Sequence, residues 1–385
     1  MILVALGMLF GDRVKYVGLV FGVGFSCLLI SLLLSMFNAM MWRTHALIDD
    51  MGQVNIWVMD PAVEYVEEVA PLPNTAVERV RSVAGVSWAV PLYSGALRTR
   101  LSDGRFRSVQ VLGIDDATLT GLPPVMVRGD ADGLRGRDAV FVDEFSARTT
   151  LALRPTDGGP SRPLTVGDTL LINDRRALVA GVCQVSPRFL PKPTIYTTYS
   201  RALAYAPPER RLMSFVLARS AAGEDASEVA KRITRETGYR ARTSKEFSAD
   251  TVSFYVHHTD IVTHVGMMVG LGTFVGFAIV VLLLSMFTRE NQRYYATLKA
   301  MGAGNGTVLM MLLVQAMAAC VVGLGAGVGF ACVIGLLGDD AGIPFLIDLR
   351  VLGFTFGCVV VMGTLAVAIN ARPLLRLEPG LVFRA

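Results

Sequence analysis

Residues 16–42 read YVGLVFGVGFSCLLISLLLSMFNAMMW, with no Asp, Glu, Lys or Arg among them. About 20 apolar residues in a helix cross the roughly 30 Å hydrocarbon core of a bilayer, so this run predicts a membrane span. Three later runs are equally free of charge: Ile261–Thr288, Thr307–Gly338 and Val351–Ala371. The expectation is therefore an α-helical integral membrane protein with four transmembrane helices, at 16–42, 261–288, 307–338 and 351–371. The first is too long for the roughly 7–15-residue apolar region of a cleaved signal peptide and should remain as an anchor. Over the whole chain, 52% hydrophobic and 18% charged residues give a mean hydropathy of +0.50, an average of two unlike materials.

The second material is the long segment 43–260. It carries 27 of the 36 Lys and Arg and 26 of the 32 Asp and Glu, and its length is ample for its own core. Basic residues flank the spans unequally. Arg13 and Lys15 precede the first, Arg289, Arg293 and Lys299 separate the second from the third, and Arg372, Arg376 and Arg384 follow the fourth. The loop after the third span holds Asp339, Asp340 and Asp348 against Arg350. The positive-inside rule then puts both termini and the 289–306 segment in the cytoplasm and 43–260 outside. Residues 1–15, apolar at Ile2, Leu3, Leu6, Leu9 and Phe10, read as an amphipathic elbow helix along the inner face.

Within 43–260, Val54–Met59 and Val86–Pro91 read as strands, and Asn74–Val83 as a short helix with Asn74 at its N-cap. Arg98–Arg100 and Arg105–Gly113 read as a hairpin turning at Asp103-Gly104. Met213–Ala218 is a further strand, Ala226–Thr237 a helix closed by Gly238, and Tyr239–Arg242 a strand. Together these predict a large α+β domain, a ββαβ-like subdomain interrupted at about 116–205 by a mainly β inserted subdomain. The insert contains a strand and helix over Asp138–Leu153, and strands within Leu164–Cys183 turning near Gly167-Asp168 and Asn173-Asp174. Cys183 is the only thiol of the segment, the other four lying in the spans, so no disulfide is expected there.

Several chemistries find no residues to carry them. None of the five lysines sits between Gly and Ser/Thr, so a phosphate-binding P-loop is not expected and neither is ATP binding by this chain. A net charge of +4 over 385 residues is too dilute for a nucleic-acid footprint. His257, His258 and His264 cluster near the outer mouth of the second span, with His45 at the same level. Adjacent histidines on a helix diverge and no Cys accompanies them, so no metal site is expected. Uncharged spans also argue against an ion-coupled carrier. What the spans hold is small residues four apart, Gly266/Gly270, Gly272/Gly276, Gly323/Gly327 and Gly325/Gly329, a spacing for close helix packing or dimerisation.

The segment after the second span reads RENQRYYATLKAMGA, residues 289–303. It is longer than a turn needs, and its Tyr294, Tyr295 and Leu298 suit a docking partner better than a headgroup anchor. This run resembles the R-E-I-G-x-x-K-A-L-G-A signature of MacB/FtsX-type ABC transporter permeases, with Asn291 and Gln292 in place of the usual Ile-Gly. The AVFVDEFSARTTL run at 139–151 and LTVGDTLLINDRRALVAGV at 164–182 are similar to that family's outer domain. So is the NARPLLRLEPGLVFRA tail at 370–385, with Phe383 where Leu is common. Ser186–Ala202, the length and the lack of a fused ATPase look most like the DevC-like branch.

The resemblance implies a non-catalytic permease subunit of the inner (plasma) membrane, acting as a homodimer with two copies of a separate cytoplasmic ABC ATPase that supplies ATP and Mg. It implies ATPase coupling by Arg289, Glu290, Arg293, Tyr294, Lys299 and Gly302. It further implies relay of motion to the outer domain, export of a lipid, glycolipid or drug-like substrate, and a periplasmic adaptor with an outer-membrane channel. The same family includes cell-division members that control an extracytoplasmic hydrolase and permeases that release lipoproteins.

Overall fold

The computed structural model describes residues 2–154, 160–339 and 343–375. The chain divides into a helical unit, residues 1–40 and 260–385, and an α+β unit, residues 41–259. The tail motif beyond Leu375, with Arg376, Phe383 and Arg384, lies outside the described residues, as do Asp340 and residues 155–159.

In the helical unit, α1 (Ile2–Gly11) precedes α2 (Arg13–Asp50), a single helix of 38 residues. It overruns the expected span at both ends, because Arg43–Asp50 continues the helical hydrogen bonding beyond the apolar run. Its last turns belong to the α+β unit.

The α+β unit holds ten strands. β1 (Ile56–Met59), α3 (Ala76–Arg81) and β2 (Val86–Arg100) come first, then β3 (Phe106–Ile114), β4 (Val125–Arg128), β5 (Ala139–Asp143) and α4 (Glu144–Arg148). β6 (Thr169–Ile172), β7 (Arg175–Gln184), β8 (Thr194–Thr198), α5 (Tyr199–Tyr205), β9 (Phe215–Ser220), α6 (Ala226–Thr237), β10 (Arg240–Thr243) and α7 (Ser244–His258) follow. α4 starts where Asp143 accepts hydrogen bonds from the Phe145 and Ser146 amides, 3.1 Å each. α7 starts on a capping box, Thr243 and Glu246 each accepting from the other's backbone amide. α3 is capped at Thr75, without a side-chain bond, rather than at Asn74 as expected.

The expected strands at 86–91 and 98–100 are one 15-residue strand. Pro91, Ser94 and Gly95 signal a break, and tertiary pairing overrides it. Residues 86–92 of β2 pair with β9, giving the antiparallel order β10-β1-β9-β2. α3 and α6 cover this sheet through Val77, Val80, Val229 and Ile233. Residues 93–100 of β2 pair with β3, and β6 bridges β2 to β7. With β3-β8, β8-β5 and β5-β7, the pairings close a six-stranded ring. Its interior is apolar, with Leu97, Val109, Val140, Ile172, Val179 and Ile195. The insert at 116–205 is thus not self-contained: the 98–113 hairpin, expected in the first subdomain, supplies two staves of its ring. A third core gathers Leu47, Ile48 and Met51 of α2 around Trp57, Phe215 and Phe247.

The helical unit resumes with α8 (Ile261–Glu290), α9 (Gln292–Ala300), α10 (Asn305–Asp339) and α11 (Leu349–Leu375). α2, α8, α10 and α11 are each long and apolar enough to cross a membrane. α2 packs in the notches of its neighbours' glycines. A Cβ on Gly276 of α8 would fall on Ser26 Oγ, and one on Gly323 of α10 would stand 2.7 Å from Val23 Cβ.

Candidate functional site

The polar stretch between α8 and α10 is a helix with two unlike faces. α8 ends as the Asn291 amide and side chain both donate to Phe287 O, at 3.1 and 2.8 Å. α9 ends in a Schellman motif: the Gly302 amide donates to Lys299 O and the Ala303 amide to Leu298 O, 3.0 Å each. Gly302 has φ +95°. A Cβ there would meet nothing, so backbone conformation rather than space calls for glycine.

The inner face of α9 is tied to three other helices. Tyr295 is 1% exposed, and its hydroxyl donates to Gln315 Oε1 of α10 at 2.9 Å. Gln315 Nε2 in turn donates to Ala5 O of α1 at 2.9 Å. Each polar atom of this chain, buried among Leu9, Phe287 and Leu312, has a partner, as burial demands. Burial raises the Tyr295 phenol to about 12, so it stays a donor. Lys299 Nζ donates to Leu374 O and Leu375 O of α11, at 2.9 and 3.0 Å. A cation on the last carbonyls of a helix also meets the negative end of its dipole. Lys15, at the start of α2, pairs with Glu290 and with Asp12.

The open side presents Arg293 and Tyr294 of α9, with Arg289 at the end of α8 and Met301 just past α9, all exposed. Tyr294 is 64% and Met301 79% exposed, large apolar surfaces on a charged helix. Of the six coupling residues expected from sequence, Arg289 of α8 and Arg293 and Tyr294 of α9 are exposed. Glu290 and Lys299 bond within the unit, and Gly302 shapes the helix end. The Tyr295–Gln315–Ala5 chain was not expected. Its signals were a second tyrosine and a lone glutamine in an apolar span.

The eight glycines expected to pack divide as well, and a Cβ on Gly325 or Gly329 would meet nothing within 4 Å. Cβ atoms on Gly272, Gly276, Gly323 and Gly327 would meet Leu29, Ser26, Val23 and Cys27 of α2. A Cβ on Gly266 or Gly270 would find nothing within 4 Å. These two line an apolar groove of about 850 Å³ between α2, α8 and α11, with Phe274, Phe277 and Phe354. His257, His258 and His264 each direct Nδ1 at the carbonyl four residues earlier. Among the described residues no group of three His, Cys, Asp or Glu is placed to hold a metal ion.

Two family models match. One, the MacB-like periplasmic core domain, covers residues 16–236, more than half of the chain. The other, the FtsX-like permease C-terminal region, covers 266–379 and so contains α9. The chain belongs to the MacB/FtsX-type family of ABC transporter permeases. It is a multi-pass membrane protein, and membership implies an ABC ATPase partner and a dimer. No curated protein matches. Among solved structures it is similar to the extracellular domain of the noncanonic ABC-type transporter YknZ from Gram-positive bacteria. That likeness has 13% identity and a TM-score of 0.34, covering 49% of this chain and 98% of that one. It is also similar to the periplasmic region of MacB from Actinobacillus actinomycetemcomitans, at 16% identity and a TM-score of 0.37, covering 52% of this chain and 94% of that one.

Proposed function

We propose that this MacB/FtsX-type permease relays ATP-driven motion of a separate cytoplasmic ATPase, present in two copies, to its α+β unit outside the inner membrane. The work is export of a lipid, glycolipid or drug-like substrate, in a tripartite system with a periplasmic adaptor and an outer-membrane channel, as in the DevC-like branch. The observation that carries this reading is the two-faced α9. A partner seated on Arg289, Arg293, Tyr294 and Met301 would press on a helix whose other face is bonded to α10 and α11 and, through Gln315 of α10, linked to α1. Displacement of α9 would therefore be shared by the spans rather than absorbed in a loop. ATP and Mg bind the partner; this chain contributes no catalytic group. Gly266 and Gly270, beside the open apolar groove, offer close approach to a second copy.

The test reconstitutes the full chain with its genetically adjacent ATPase. Tyr294→Ala and Arg293→Glu should each lower permease-stimulated ATP hydrolysis at least fivefold while leaving the unfolding temperature of the permease unchanged. Stimulation at the unmodified level in both variants would remove the docking assignment. A hydrolase of the cell wall co-purifying in place of an adaptor would turn the reading to the regulatory branch of the family.

A further inference from the structure

The α+β unit contains a second cavity, of about 290 Å³, whose lining carries both signs of charge. Its walls include Thr44 and Leu47 of α2, Ser94 of β2 and Gln110 of β3. Glu67, Arg188 and Lys192 also line it. The volume is at the foot of the range of ligand pockets, suited to a headgroup-sized molecule.

One of its charged groups, Arg188, is already ion-paired, with Asp50 beyond the lining. Asp50, at the end of α2, accepts from Arg188 Nη2 at 2.8 Å and from Ser186 Oγ at 2.6 Å. Arg188 Nη1 is buried without a well-formed hydrogen bond among the described residues, on a side chain that lies against the equally buried Tyr196 hydroxyl. Lys192 is exposed and makes no ion pair among the described residues. Glu67 accepts from the Tyr255 hydroxyl at 3.1 Å. Burial raises the Glu67 carboxyl, and the Tyr255 bond and the charges of Lys192 and Arg188 oppose the rise. A cation entering beside it would do the same. Tyr65, stacked on Phe254 with centroids 4.1 Å apart, adds an aromatic wall.

Position along α2 narrows the ligand. Thr44 and Leu47 follow Trp42, the last residue of the uncharged span, by about 3 and 8 Å of helix rise. Trp42 is itself exposed, a residue type at home where hydrocarbon meets headgroups. We propose that this cavity binds a phosphoethanolamine group, its phosphate on Arg188 and Lys192 and its ammonium on Glu67, presented by a membrane phospholipid. A primary ammonium suits Glu67 because it can donate the hydrogen bonds a carboxylate accepts. The proposal rests on the lipid-export reading and names its substrate class.

The test titrates the full chain, held in amphipol, with dihexanoylphosphatidylethanolamine below its micellar concentration. Saturable binding is expected, at least tenfold tighter than that of dihexanoylphosphatidylglycerol, which offers the phosphate without the amine. Glu67→Gln and Lys192→Met should each weaken it at least tenfold; Lys192 is exposed, so its variant keeps the test valid if Glu67→Gln misfolds. Soluble phosphoethanolamine binding as tightly as the lipid would support the chemistry and assign the source to a free headgroup. Equal binding of the two lipids, or unaltered binding by Lys192→Met, would overturn the proposal. No ATPase is present, so that failure leaves the permease reading standing, whereas lost ATPase coupling with intact headgroup binding strikes the permease reading alone.

Discussion

Tyr294 and Tyr295 are adjacent in sequence and opposite in environment. One offers its ring to the solvent side of α9, and the other gives its hydroxyl to Gln315 inside the helical unit. Tyr295→Phe removes the donor and leaves a buried amide oxygen unpaired, a loss of about 1–3 kcal/mol. It should lower the unfolding temperature of the full chain where Tyr294→Ala does not, and equal melting of the two variants would contradict the packing described. Sequence marks both tyrosines as unusual in a turn; only the helix phase leaves one exposed and turns the other to the interior. A second residue-scale effect sits on the β2–β3 turn. Asp103 accepts from Arg105 Nε and Nη2 at 2.8 and 2.6 Å and from the Arg154 amide at 3.0 Å. The Arg105 bonds lead in lowering its carboxyl from 3.8 to about 2. A carboxylate depressed in the folded state stabilises fully above its unfolded value and loses that contribution as pH falls through the folded one. The stability difference between the natural chain and Asp103→Asn should hold above pH 3.8 and fade as pH descends to about 2, as acid titrations followed by circular dichroism would show. A gap that persists at pH 2 would contradict the sign.

At the scale of elements, glycine spacing predicts close packing without saying against what. Gly276 and Gly327 face α2 with no room for a methyl group, while Gly266 and Gly270 face open space. Gly276→Leu should therefore disrupt folding of the helical unit, seen as loss of a monodisperse peak in detergent. Gly266→Leu should leave folding intact and weaken self-association, measured by crosslinking in membranes. Folded, fully associated chains for both would refute the distinction. The β elements show the same limit of local reading. Pro91, Ser94 and Gly95 carry genuine breaker signals, yet β2 runs through them, since its two halves gain ladders in different sheets. Turns were more legible: Gly104 at φ +84° and Asn173 and Asp174 at φ +45° and +60° adopt the left-handed conformations their residue types favour.

For the whole molecule, charge asymmetry around the spans is the basis for orientation. In a variant lacking its five cysteines, Glu224→Cys should react with an impermeant maleimide in intact spheroplasts, and Gly304→Cys only after permeabilisation. The reverse pattern would invert the assignment of inside and outside. The membrane spans and the separate α+β segment between the first two were determined by sequence alone, because an uncharged run of bilayer length has few alternatives and its reading depends only on neighbours along the chain. The family was legible too, through the short motif at 289–303. Closure of the six-stranded ring, the turning of Tyr295 inward, the unequal glycines and the cavity that brings Glu67 beside Arg188 and Lys192 were decided only in three dimensions. Each depends on residues tens to hundreds of positions apart, whose desolvation and pairing no local pattern encodes.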